Sequence, residues 1–305
     1  MDIRIANTKQ GIQALFKTAK PKKINLSNPL YCLEHPGIYT HRVAAPLAAK
    51  NSQLTMVNRL KINRSLGLQG GKNDDVAARR LAEYAARFQD KCRPHKPLRP
   101  VLEDLKKLLA LRRRLVNQTK MLSVPLAEAK GRRRKNAYPI IKASTEAVLK
   151  QATLEKKLLT LIKAEEQLFE LYTIAASVPG LGKITGMMLL ICTQEFERTP
   201  SAKKCACDAG VVPFERTAGK RLRGRSRVSS YANKELKSLM PMGALSVAVR
   251  RKGDLKAYNT RKVEKEPKHK MVVLNAKKNK LQHIVYACVR ARRLYEAARK
   301  CRQAG

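Results

Sequence analysis

Apolar positions along the first 97 residues switch between short unbroken runs and three-to-four-residue spacing. Ile3–Ala6 reads as a strand, after which Asn7 or Thr8 caps a helix with Ile12, Leu15 and Phe16 on one face. Pro29-Leu30-Tyr31-Cys32-Leu33 predicts a strand ending at Glu34, residues 37–50 a helix, and Leu54-Thr55-Met56-Val57 a second strand. Residues 59–66 predict a short helix. Gly70-Gly71 breaks it, and Asp74 opens a helix to about Gln89 with Val76, Leu81, Tyr84, Ala85 and Phe88 apolar. Strand and helix alternating in this way predict an α/β domain.

The pattern then changes. Leu102, Leu105, Leu109, Leu115 and Leu122 recur at helical spacing, and beyond the basic break 130–135 so do Leu154, Leu158, Leu161, Leu168 and Tyr172. These runs suit a long helical hairpin or a dimeric coiled coil, and equally a helical pair packed on the first domain. From residue 173 a turn, a loop at Pro213 and the run 220–227 precede helices expected over 232–250 and from 271 to about 299. No internal repeat stands out. The expected domains are 1–97, 98–172 and 173–305.

Charge narrows the function. The 305 residues hold 65 Lys and Arg against 23 Asp and Glu, a formal net charge of +42. Such an excess calls for a polyanionic partner, nucleic acid first. A membrane is the weaker choice, because no apolar run approaches the roughly 20 residues a span requires. The opening Met1-Asp2-Ile3-Arg4 has no apolar stretch of the secretory kind. Seven cysteines, an odd number, fit a reducing cytosol. Cys205-x-Cys207 is too close for a zinc pair, so free buried thiols are expected. Trp is absent and aromatics are few, so base stacking is not the expected source of affinity.

The turn Pro179-Gly180-Leu181-Gly182 then becomes informative. Pro179 removes a donor, and the glycines admit positive φ, so one helix stops there and another begins. Backbone N–H groups of Gly180 and Gly182, with Lys183 beside them, would face an anion at the new helix's N-terminus. This is the expected geometry of a helix-hairpin-helix on a DNA backbone; the plain alternative is a Pro/Gly turn between packed helices. In the run Lys220, Arg221, Arg223, Arg225 and Arg227, Gly224 and Ser226 disfavour helix, so a basic loop tracking phosphates is expected. Glu34 ends a predicted strand, the edge where α/β sites form, and Asp74 opens a helix. The pair suits a divalent ion, although an Asp at a helix start is more often a cap.

Several segments resemble one family. Cys32-Leu33-Glu34-His35-Pro36-Gly37-Ile38-Tyr39 is similar to the "LE-x-T-G-x-Y" segment of the DEDD insertion-sequence transposases, the insertion sequence one-hundred-ten family, related to the Piv-type DNA invertases. Residues 71–82, Gly-Lys-Asn-Asp-Asp-Val-Ala-Ala-Arg-Arg-Leu-Ala, resemble its "K-x-D-x-x-D-A-x-x-I-A" segment. Pro179-Gly180-Leu181-Gly182, Ala209-Gly210-Val211-Val212-Pro213 and Gly224-Arg225-Ser226-Arg227-Val228-Ser229 resemble its C-terminal domain, in family order.

The resemblance implies an α/β RNase H-like (RuvC-like) N-terminal domain, a helical insertion and a mainly α C-terminal domain with a helix-hairpin-helix. It implies strand cleavage and exchange with Mg2+ held by four carboxylates, a serine nucleophile, insertion-sequence DNA as partner, a homo-oligomer, and in some members a structured guide RNA. Carried over, Glu34 is the second carboxylate and Asp74 the third, both metal ligands. Ala77 stands at the fourth position and Ala218, before Gly219, at the serine position. Asp75 points about 100° away from Asp74 on a helix. The first carboxylate falls upstream of this sequence. The expectation is therefore a truncated, degenerate transposase with impaired chemistry and retained DNA binding, in a bacterial cytoplasm beside the nucleoid. The competing expectations are a non-catalytic DNA or RNA binder on the same scaffold, and a structure-specific nuclease.

Overall fold

A computed structural model describes residues 3–19, 29–34, 43–44, 46–47, 53–67, 73–128, 139, 142, 153–218, 222–228, 232–249 and 254–296. The chain forms two compact units, Met1–Pro97 and Leu98–Gly305. Helices dominate and strands are few, an arrangement consistent with an RNase H-like first unit.

In the first unit, helix α1 (Lys9–Ala19) starts where Thr8 Oγ1 accepts a hydrogen bond from the Gly11 amide, 3.1 Å. Its Ile12 and Phe16 are buried together with Leu47 and Leu54. Strand β1 (Leu30–Glu34) pairs in parallel with β2 (Gln53–Val57), Leu30 opposite Gln53 and Glu34 opposite Val57. Helix α2 (Arg59–Ser65) is capped by Asn58, and α3 (Asp74–Arg87) by Asn73, whose side chain accepts from the Val76 amide. Tyr84 of α3 joins Val57 and Ile62 in a second small core. Leu30–Leu33 and α3 residues Ala78 to Ala86 line an open, mainly apolar cleft of ≈ 520 Å3.

Ile3–Ala6, expected as a strand, is not one. No described strand lies beside it, and without a partner for its amides an extended segment does not form a ladder. It is exposed, tied by Arg4 to Asp75 on α3. The helix expected over 37–50 lies mostly outside the described residues; 43–44 and 46–47 are helical.

The second unit has one continuous core. Helix α4 (Pro100–Glu128) gives it Leu102, Leu105 and Leu109, and α5 (Thr153–Lys163) gives it Leu158 and Ile162. An ion pair from Arg112 to Glu155, 2.7 Å, crosses between the two. Helices α6 (Glu166–Ser177) and α7 (Lys183–Thr193) flank the Pro179–Gly182 turn. All of α7 from Thr185 to Thr193 is buried, so the core continues up to the turn. After α8 (Ala202–Asp208), β3 (Pro213–Ala218) and β4 (Leu222–Val228) pair antiparallel, with a register shift between Phe214 and Arg216. Helix α9 (Lys234–Val249), α10 (Asp254–Thr260) with a π-helical extension Arg261–Lys265, and α11 (Lys270–Arg290) complete the unit.

The structure alters two expectations here. The basic run is a strand from Leu222 to Val228, not a loop: pairing with β3 satisfies its amides and outweighs the weak strand preference of Gly224 and Ser226. The last helix ends at Arg290 rather than near 299, where Arg292 adopts a left-handed φ of 49°.

Gly180 fixes the turn. Its φ is +87°, and a Cβ there would collide with the Val247 side chain and the Gly243 carbonyl oxygen of α9. We expect Gly180→Ala to destabilise the second unit by about 2–4 kcal/mol, from left-handed strain plus overpacking. Urea unfolding followed by circular dichroism measures it; an unchanged midpoint contradicts this account of the turn.

Candidate functional site

Glu34 is the last residue of β1 and half-buried; Asp74 is the first residue of α3 and exposed. Helix α3 packs on β1, so both acids belong to one local assembly. Asp75 is occupied otherwise: Arg4 Nη2 donates to its Oδ2 at 2.7 Å, and that hydrogen bond, with the nearby charge, raises the Arg4 guanidinium further. Ala77 sits one turn into α3, its amide bonded to the Asn73 carbonyl. Among the described residues no group of three His, Cys, Asp or Glu converges as a metal cluster. A two-ion centre needs bridging and flanking oxygens with the ions about 4 Å apart. Among the described residues, Glu34 and Asp74 alone do not supply that set.

In the second unit, Gly182 is the N-cap of α7, with φ −78° and ψ 172° and no side-chain cap. Among the described residues, nothing lies within 4 Å of where its Cβ would stand. The first intrahelical bond there is Gly186 N–H to the Gly182 carbonyl, so the amides of the first turn, from Lys183 on, have no i−4 partner. Gly180 faces the other way, against α9. Its neighbour Leu181 closes the turn by donating to the Val178 carbonyl at 3.0 Å.

Arg223, Arg225 and Arg227 occupy alternate positions of β4, paired with β3. Ala218 is the last residue of β3, paired with Leu222. Lys220 and Arg221 lie outside the described residues.

The turn after α7 escaped sequence reasoning. Gln194, Glu195 and Phe196 take left-handed φ of 50°, 57° and 68°, each unfavourable for a side-chain-bearing residue. Two contacts hold it. Arg99 donates to both Glu195 carboxylate oxygens at 2.8 Å and also binds Glu165, while the buried Phe196 ring meets Tyr286 edge-on at 5.1 Å. Burial raises the Glu195 carboxyl, and Arg99 opposes the rise. No glycine or proline marks this turn, so no local signal exposed it.

Cys192 and Cys205, both buried, are poor nucleophiles. Burial pushes Cys192 up to about 12 and Cys205 up to about 11. Asn233, which caps α9, also donates to Cys192 Sγ at 3.1 Å.

Residues 172–260 match the family described as "Transposase IS116/IS110/IS902 family", and residues 1–128 match a DEDD transposase family of the IS110 type. The matches stand in family order and together cover most of the chain. The chain belongs to the IS110-type DEDD transposase family. Two relatives are "Pilin gene-inverting protein" of Moraxella bovis and of Moraxella lacunata, each 26% identical over 300 residues, covering 95% of this chain and 89% of the relative. The transposase is thus a DNA recombinase enzyme by kind, and the matches do not favour a binder-only reading. Among the described residues, no helix is long and apolar enough to cross a membrane.

The buried thiols set a pH dependence. Their folded values lie above the ordinary 9.0, so the unfolded chain loses these protons first. Stability is then fully present below about pH 9 and declines as pH rises toward 12. Urea midpoints at pH 8 and pH 10.5 should differ in wild type, and differ less in Cys192→Ala.

Proposed function

We propose that this transposase grips insertion-element DNA chiefly through the second unit, with Gly182 and Lys183 at one phosphate and Arg223, Arg225 and Arg227 along the backbone nearby. The first unit, a helical segment over 98–172 and a C-terminal domain from 173 divide the work. The open amide end of α7 at Gly182 carries the reading. An uncapped helix N-terminus with clear space before it accepts an anion, and a cationic chain supplies long-range attraction to DNA. Lys220 and Arg221 belong to the same basic stretch by sequence.

The chemistry of this copy is impaired. Ala218 has no group to attack phosphorus, and Ala77 has no oxygen for a metal. Any ion held by Glu34 and Asp74, Mg2+ being the natural candidate, would lack the oxygen ligand that position 77 supplies in the family. A homo-oligomer on paired element ends, and a structured guide RNA, remain part of this proposal through the family resemblance, as does placement on the bacterial nucleoid.

Two outcomes are expected. Gly182→Leu, which projects into open space, should leave the unfolding midpoint unchanged and weaken duplex binding about tenfold in fluorescence anisotropy, the loss of one or two phosphate hydrogen bonds. Full-strength binding by a folded Gly182→Leu protein removes the turn from the interface. With Mg2+ and element-end DNA, the wild-type chain should give no cleavage above a no-protein control. Robust cutting lost on Glu34→Gln would refute the impairment.

A further inference from the structure

The end of α10 and its π-helical extension gather cations around one ring and one carboxylate. The Tyr258 ring has Lys280 Nζ, from α11, 3.9 Å from its centroid, with the Arg261 guanidinium at 5.8 Å and Lys262 Nζ at 5.9 Å. An aromatic face attracts cations at such distances. Glu266 holds the other side of the group. Lys262 donates to its two oxygens at 2.6 and 2.5 Å, Arg261 Nε lies 3.7 Å away and Lys268 Nζ 3.5 Å away. One negative charge thus serves three cations. Among the described residues no carboxylate pairs with Lys280.

The fold fixes this group in place. Buried Lys277, one turn before Lys280 on α11, donates to Asn259 Oδ1 at 2.7 Å and holds α11 against α10 beside the ring. Leu255 anchors the start of α10 in the core of the unit. Arg261 and Lys262 open the π-helical stretch, a geometry frequent at functional sites. The charged ends nevertheless face water: the Arg261 side chain is 59% exposed and that of Lys268 52%, and Lys280 is exposed. Like charges held this close repel, and exposed ion pairs contribute little to stability, so the fold alone gains little from the arrangement. A polyanion laid across it relieves the repulsion. Lys280 occupies the near face of Tyr258, which leaves that face unavailable for stacking a base. The surface therefore offers charge rather than a stacking platform, and charge suits the continuous phosphate rail of a duplex.

We propose that Arg261, Lys268 and Lys280 form a second DNA-contact surface of this transposase, which holds a duplex by its backbone phosphates. The surface rests on the DNA-binding reading above and adds residues of α10, its extension and α11 to it. Tyr258 and Glu266 are positioning residues: they bring the cations together and touch no DNA themselves. Contacts of this kind fix where a duplex lies without reading its sequence.

The test is anisotropy of a random-sequence duplex against the full chain over a series of NaCl concentrations. Arg261→Gln and Lys280→Gln should each flatten the slope of log affinity against log salt by about 1, and the charge-keeping Arg261→Lys should hold it. Lys107→Gln, which removes an exposed cation of α4, should leave the slope unchanged. Equal flattening there means that total charge alone sets binding, and overturns the surface. Glu266→Gln should tighten duplex binding about threefold at low salt, because it frees cations for phosphate. A carboxylate that serves only the fold would lower the thermal midpoint when replaced and leave affinity intact, which also overturns the proposal. A single strand held more tightly than the duplex, with that hold lost in Lys280→Gln, overturns the choice of duplex. Slopes unchanged in Arg261→Gln and Lys280→Gln while the wild type binds bring down this surface alone. Wild-type protein that ignores the duplex at low salt brings down the wider DNA reading with it.

Discussion

The backbone contact between Gly180 and Gly243 is the constraint on which the second unit's surface depends. Neither residue could carry a Cβ: at Gly180 it would meet the Gly243 carbonyl, and at Gly243 it would meet the Gly180 carbonyl. Two main chains touching at this distance fix the angle at which α7 leaves the turn, and so fix where its unbonded amides point. The contact costs side-chain packing and the conformational freedom of two glycines. What it secures is a rigid mount, since α7 behind it is buried along nearly its whole length. An anion-binding end built on a buried helix holds its geometry better than one built on a loop.

Around that mount, α11 works as a spine. One side buries Leu281 and Val285 in the core. Its C-terminal half reaches Thr199 through the Tyr286 hydroxyl, which donates to the Thr199 carbonyl at 2.6 Å. Lys277 is 2% exposed and is stabilised by Asn259 Oδ1 at 2.7 Å, which ties α11 to α10 without any carboxylate. A chain with this charge has few acids to spend on neutralising buried cations, and here it uses an amide oxygen. Several acids brace the fold instead: Glu195 and Glu165 on Arg99, Glu155 on Arg112, Asp75 on Arg4.

Much of this was legible in the letters. The strand ending at Glu34, the helix opening at Asp74 and the break at Pro179 all follow local rules, and all three stand in the structure. The features that escaped notice depend on distant partners. Ile3–Ala6 has strand-like alternation but no neighbour to pair with among the described residues. The 222–228 segment has poor strand residues but does have a neighbour, and pairing decided both cases. The left-handed run at Gln194–Phe196 exists because Arg99 lies 96 residues away in sequence. The placement of Glu34 at a strand end and of Asp74 at a helix start follows from the sequence.

The cleft between β1 and α3 bears on how such a protein must be handled by its host. Its lining is aliphatic, from Leu30 and Leu33 to Leu81 and Ala85, and it opens to solvent. Self-repulsion at +42 keeps one copy's oily notch away from another's, and that repulsion weakens as ions screen it. Bound nucleic acid cancels the same charge while crowding copies along one thread. Free chains in dilute buffer are therefore the safest against clumping, and the risk of clumping is greatest when many copies crowd one stretch of chromosome.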